Sequence, residues 1–426
     1  MLNRRPLVLF VTVFAATLLL TNAWATSQEK VPHNFKNNGE DGYYPASVIF
    51  DSAGNIYGTT QYGGAHAYGT VFELMPKAGG GWTEKILHNF NGNGRDGYYP
   101  SANLILDAAG NLYGTTVYGG AYDLGTVFEL MPKAGSGWTE KIVHNFNDNG
   151  KDGYYPRAAL IFDAGGNLYG TTSDGGGKGS YGSVFELTPK KGAWTEDILH
   201  SFRPASGDGD HPSAALIFDA AGNLYSTTLD GGGTSSYGTV FKLTHQTGSW
   251  TEKILHSFYR DGSDDGSGPG GLIFDGDGNL YGVTSLGGSG TCVVEGEISG
   301  CGVVFKLTPA GEETILYNFQ NNGKDGQYPT GGLIFNPAGS LYGTTQYGGT
   351  GACQLEGFVG CGTVFELTPE WTETVIWSFN SKDGFGPQSP LVLDAAGDLY
   401  GATGLGGTSG TACGGDGCGT AFEITP

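Results

Sequence analysis

Apolar and polar residues alternate along this chain in short, regular bursts. In the stretch from 104 to 146, Leu104-Ile105-Leu106 is followed by the polar Asp107-Ala108-Ala109-Gly110-Asn111. Then come Leu112-Tyr113-Gly114-Thr115-Thr116, a glycine-rich loop, Thr126-Val127-Phe128-Glu129-Leu130, and a last run from Trp138 to Phe146. Runs of this length between Asp, Gly, Asn and Pro predict four short strands joined by tight turns. Asp107 can accept backbone hydrogen bonds in its turn, and Gly110 supplies a positive φ.

The same unit recurs. The phrase D-x-x-G-N-L-Y-G-T-T begins at Asp51, Asp107, Asp163, Asp219, Asp275, Asn336 and Asp394, at spacings of 56, 56, 56, 56, 61 and 58 residues. Four-stranded units repeated in this way predict an all-β, seven-bladed β-propeller with four antiparallel strands per blade. A linear solenoid is the competing architecture, and the chain ends argue against it. The last copy stops after its third strand, Gly419 to Ile424, while Ser27 to Phe35 aligns with the fourth strand Trp82 to Phe90 and has no first three before it. An N-terminal strand that completes the last blade closes the ring and removes two sheet edges.

These phrases, D-x-x-G-N-L-Y-G-T-T-x-x-G-G and G-T-V-F-E-L-T-P, resemble the choice-of-anchor tandem-repeat GloVer (Gloeo/Verruco repeat) family over essentially the whole mature chain. The resemblance implies an exported bacterial, propeller-like repeat protein and brings no catalytic residues to carry over. The family's varied C-terminal sorting tails have no counterpart here, since the chain ends at Ile424-Thr425-Pro426.

Arg4 and Arg5, the apolar run Pro6 to Leu20 and Ala23-Trp24-Ala25 read as an export signal. The expected organisation is therefore residues 1–25 as signal peptide and 26–426 as one propeller domain, with 26–35 supplying the outer strand of the last blade. A secreted or periplasmic monomer with no membrane span after signal removal follows. The chain carries 21 basic and 42 acidic residues; losing the signal's two arginines leaves a net charge of −23, which excludes nucleic acid as a partner.

The six cysteines fall in three pairs, Cys292/Cys301, Cys353/Cys361 and Cys413/Cys418, each inside one loop between second and third strands. In an exported chain this predicts three local disulfides. Gly92-Asn93-Gly94-Arg95-Asp96-Gly97 matches G-x-G-x-x-G but leads into a strand, with no helix to hold a pyrophosphate.

His33, His88, His144, His200 and His256 share a register filled by Tyr317 and Trp377 in the other copies, which reads as aromatic packing rather than as one metal centre. Glu73, Glu129, Glu186, Glu366 and Glu423 read as an exposed or paired strand position. The once-per-repeat aspartates, including Asp208 and Asp265, read as turn caps. Asp261 and Asp265 also fit a calcium loop, the one cofactor the sequence offers.

What every blade shares maintains the blade, so a ligand site is sought where the repeat breaks. In a propeller the blade linkers and the loops between second and third strands share one face. On it stand Tyr62, Tyr118, Tyr122, Asp174, Arg203, Asp208, His211, Asp230 and Tyr347 as candidate ligand-binding residues. Mixed aromatics, acids and a few arginines suit a glycan, or an extracellular protein ligand. The leading expectation is a binding or interaction propeller, with catalysis left open; the alternative is a carbohydrate-active hydrolase or lyase on the same scaffold, with its catalytic residues unknown.

Overall fold

The computed structural model describes residues 27–426, apart from 136, 205–206, 234–235, 260–264, 295–296, 356 and 409–412. It is a seven-bladed β-propeller, and no α-helix occurs among the described residues. In the second blade, Ile105–Leu106, Leu112–Thr116, Thr126–Pro132 and Trp138–Asn145 pair in that order, antiparallel throughout. The turn between the first two strands is built as its letters suggest: Asp107 Oδ1 accepts from the amides of Ala109 and Asn111 at 2.9 and 2.8 Å.

Ring closure follows the expected route. Gln28–Asn34 pairs antiparallel with Thr420–Thr425, from Gln28 opposite Thr425 to Asn34 opposite Thr420, so the last blade takes its outermost strand from the other end of the chain.

Between neighbouring blades the core is a belt of phenylalanine pairs. The ring that follows each fourth strand meets, edge to face, the third-strand ring of the next blade: Phe90 and Phe128 stand 5.2 Å apart, Phe146 and Phe185 5.2 Å, Phe379 and Phe422 4.9 Å. Phe35 and Phe72 repeat the contact at 5.0 Å across the closing seam, with both rings fully buried. Edge-to-face pairs contribute about 0.5–1.5 kcal/mol beyond their buried area. The third-strand ring needs a glycine beneath it: a Cβ on Gly114 would lie 2.6 Å from Phe128 Cζ.

The innermost segments of all seven blades line a central channel of about 230 Å³, walled mostly by small residues such as Ala46, Ala102, Ala158, Ala214 and Gly271. The three disulfides form as expected, Cys292–Cys301, Cys353–Cys361 and Cys413–Cys418, each within one loop.

Candidate functional site

At the channel mouth each blade presents the residue before a proline in the left-handed region. Tyr44, Tyr99, Tyr155, His211 and Tyr328 have φ of 59°, 57°, 57°, 51° and 60°, and Gly268 and Gly386 take the same place in the remaining blades. Such backbone is costly for a side-chain-bearing residue before proline. It is held from both sides. The amides of Tyr99, Tyr155 and His211 donate to the carbonyls of Tyr68, Leu124 and Tyr181 in the preceding blade, at 3.1, 3.0 and 2.9 Å. The carbonyls of Tyr99 and Tyr155 accept from Val117 and Ser173 within their own blade.

This conformation turns tyrosines into a continuous arc over the first three blades. Tyr43 stacks on Tyr62 at 5.4 Å, Tyr62 meets Tyr99 at 5.0 Å, Tyr98 stacks on Tyr118 at 5.7 Å, and Tyr118 meets Tyr155 at 5.1 Å. Tyr62 and Tyr118 are half-buried, with part of each ring open to solvent. Burial, with the neighbouring tyrosines, raises the Tyr62 phenol above its usual range. Tyr122 lies at the loop tip beyond, 60% exposed.

Tyr347 is different from the other candidate tyrosines. Phe358 from the disulfide loop stacks on it at 4.4 Å and leaves it 4% exposed, so its ring face is covered and offers no platform. Inside the channel Arg157 is the one charged residue among the described lining residues. Sequence reasoning passed over it; its place directly after a proline, where Ser101 and Ser213 stand in other blades, was the available signal.

The fourth blade breaks the arc. There Asp210 replaces the first tyrosine and His211 the second, while Asp174 and Asp230 replace the second-strand tyrosine in blades three and four. The structure brings these four together. His211 Nδ1 lies 3.5 Å from Asp210 Oδ1 and 3.9 Å from Asp230 Oδ2, and His211 Nε2 lies 3.7 Å from Asp174 Oδ1. Ser173 Oγ donates to Asp174 Oδ2 at 2.7 Å. Burial raises the Asp210 carboxyl; His211 opposes the shift and Asp230 adds to it.

Two other candidates do not join this group. Asp208 is buried at the seam between blades three and four, where its Oδ2 receives His200 Nε2 at 3.0 Å and the Arg203 amide at 3.0 Å. Arg203 is exposed beside it, near the loop at Gly177.

Asp208 belongs to a cluster that recurs around the ring. In each of five seams a histidine from one outer strand, the linker aspartate and a glutamate from the next outer strand converge, as in His88 with Asp96 at 3.2 Å and Glu140 at 3.6 Å. The histidines do pack on aromatics, His88 against Phe90 at 4.8 Å, and they also pair with carboxylates, which the aromatic reading left out. In the sixth seam Tyr317 donates to Asp325 Oδ2 at 2.9 Å, so the position asks for an aromatic hydrogen-bond donor.

Asp265 takes the same role: it accepts from the amides of Tyr259 and Gly266 and pairs with His256 at 3.5 Å. Asp261, the other residue of the calcium-loop reading, lies outside the described residues. The repeated strand glutamates are paired but not exposed, with Glu129 buried and accepting from Tyr113 at 2.8 Å.

Comparison with known proteins places the molecule. Among solved structures, an ancestral GH74 enzyme superposes with a TM-score of 0.55 at 13% identity, over 93% of this chain and 51% of that one. PorZ, a bacterial surface component of the type-IX secretion system of Porphyromonas gingivalis, superposes with a TM-score of 0.52 at 14% identity, over 92% and 47%. This chain thus spans about half the length of each, and at such identity the likeness shows the fold alone. The Penicillium chrysogenum alpha-L-arabinanase complexed with arabinobiose is similar at a TM-score of 0.45 and 15% identity, over 76% and 91%. No curated protein matches the chain. The Gloeobacter/Verrucomicrobia repeat matches residues 20–141, 79–294 and 290–426, which together span the blades described above, and the chain belongs to that repeat family.

Proposed function

We propose that this is an exported binding propeller whose loop-rich face takes a neutral or cationic glycan. The observation that carries the reading is the tyrosine arc from Tyr43 to Tyr155, half-buried rings in edge-to-face and stacked contact beside the channel mouth. A sugar's apolar C–H face packs on such rings while acids and Arg157 take its hydroxyls. The surplus of 42 acidic over 21 basic residues disfavours a polyanionic glycan. Export through residues 1–25 is part of the same proposal, and three loop disulfides suit the oxidising compartment it leads to.

A glycan array with protein lacking residues 1–25, followed by Tyr118→Ala and Tyr155→Ala on any ligand found, tests the reading. Each truncation should weaken binding by about 1–3 kcal/mol. Tyr113→Ala, which removes the bond to buried Glu129, should lower stability instead. An empty array, or binding indifferent to both arc tyrosines, would replace the glycan with a protein ligand. Release of reducing ends from a bound glycan would favour the hydrolase.

A further inference from the structure

The fourth blade alone sets two carboxylates directly opposite each other at the rim. Asp210 pairs with Asp230 across antiparallel strands, where the cognate pairs are Tyr43 with Tyr62, Tyr98 with Tyr118, Tyr154 with Asp174, Ser267 with Leu286, Gln327 with Tyr347 and Phe385 with Leu405. Like charges in that relation repel. Consecutive residues of an extended strand point to opposite faces, yet the left-handed turn at His211 brings its Nδ1 to 3.5 Å from Asp210 Oδ1. Both atoms are buried and have no hydrogen-bond partner.

We propose that His211, Asp210 and Asp230 bind a divalent cation of the zinc class at the mouth of the propeller, with Asp174 positioning the histidine from behind. The three ligand atoms lie within 4.8 Å of one another, with Nδ1 at 3.5 and 3.9 Å from the two carboxylate oxygens. A point among atoms so spaced lies about 2.0–2.4 Å from each, against zinc bonds of about 2.0–2.2 Å to imidazole nitrogen and carboxylate oxygen. A cation there relieves the repulsion between Asp210 and Asp230 and partners the two orphaned atoms.

A ligating histidine characteristically directs its other ring nitrogen at a carboxylate. His211 Nε2 faces Asp174, which Ser173 orients by its 2.7 Å bond. One imidazole with two carboxylates suits zinc or manganese better than calcium, which takes oxygen ligands throughout. The Asp230 side chain is 61% exposed, so the remaining coordination positions open toward solvent and can receive an oxygen of a bound ligand.

The seam clusters of His, Asp and Glu also bring three such groups together. They differ in kind, because tyrosine replaces the histidine in the sixth seam and keeps its bond to the aspartate. A hydrogen-bond donor satisfies that position.

The test is zinc titration of the whole folded protein, stripped with chelator, by calorimetry, with anomalous diffraction at the zinc edge to place the ion. One equivalent should bind. His211→Tyr installs the residue found in four sister blades and should fold, and Asp230→Asn removes one ligand charge. Each should weaken zinc at least about tenfold, while His144→Tyr, which copies the residue of the sixth seam, should leave affinity unchanged. A hundredfold excess of calcium should not displace the ion. Absent uptake by protein that melts as a folded ring, uptake unaltered by His211→Tyr, loss through His144→Tyr alone, or displacement by calcium would each overturn the proposal.

Discussion

Glu140 Oε1 lies 3.6 Å from His88 Nε2 across the seam between the first and second blades. Beneath the histidine sits Asp96, 4% exposed, whose Oδ1, like Glu140 Oε1, is buried with no conventional donor. A proton retained on Glu140 serves both carboxyls. Burial, reinforced by Asp96, holds the Glu140 carboxyl well above the usual carboxylate range. Glu84, Glu196 and Glu252 are raised in the same way, and Glu29, Glu313 and Glu373 reach about 7.

The sign of the pH dependence follows. Above about 4.5 the unfolded chain releases these protons while the folded one keeps them, so stability falls as pH rises, up to about 7 for Glu29, Glu313 and Glu373 and further for the others. Asp51, Asp219 and Asp275 are lowered despite burial, through their bonds to Asn and Tyr, and their contribution is lost as pH falls below about 3.8. The melting temperature should therefore peak near pH 5 and drop by roughly 5 °C or more by pH 9. Glu140→Gln keeps a donor for Asp96 without needing a proton, so melts from pH 5 to 9 should show a shallower decline than the parent. Parallel curves would refute the shared proton.

Removing the closing strand should be severe. Deleting residues 27–35 strips the partner of Thr420–Thr425 and removes Phe35 from its contact with Phe72. Losing a buried Phe alone costs about 3–5 kcal/mol, and the bared edge invites pairing between molecules. Size-exclusion chromatography should show association and calorimetry a lower melting temperature; a monomer melting like the parent would contradict the closure.

Reduction should act locally. The three disulfides close loops of 9, 8 and 5 residues, all in the last three blades. Each contributes about 2–3 kcal/mol in the chain-entropy account. Hydrogen exchange after reduction should rise first in the loops around Cys292, Cys353 and Cys413, with the phenylalanine belt still protected.

The left-handed tyrosines give a backbone test. Tyr99, at φ 57° before Pro100, should tolerate glycine, which stands there in two sister blades, as Gly268 and Gly386. Tyr99→Val cannot adopt that φ easily and should cost about 1–3 kcal/mol. Denaturant titration of the pair separates backbone strain from the loss of the ring, which both variants share.

Much of the architecture was legible because the signals are local. Asp107 and Gly110 make one turn, Pro132 ends one strand, and the repeat does the rest. The orphan fourth strand at Ser27 announced the closure. The seam chemistry was not legible in the same way. His88, Asp96 and Glu140 come from an outer strand, a linker and the next outer strand, and each looks ordinary alone. Nothing in the letters around Tyr347 shows that Phe358 will cover it, because that ring arrives on a loop enlarged only in the later blades. Across the third and fourth blades the replaced tyrosines marked a break in the repeat, and only the fold showed that their four substitutes meet.

The pairing of Gln28 with Thr425 also orders events in time. Six blades can assemble from neighbours in sequence, but the seventh must join segments from opposite ends of the chain. Closing so long a loop costs entropy that local hairpins do not incur. Gln28–Asn34 is thus synthesised long before its partner Thr420–Thr425 exists, and a chain cut short ahead of that partner keeps the strand unmatched, a permanent mark by which incomplete molecules differ from finished ones.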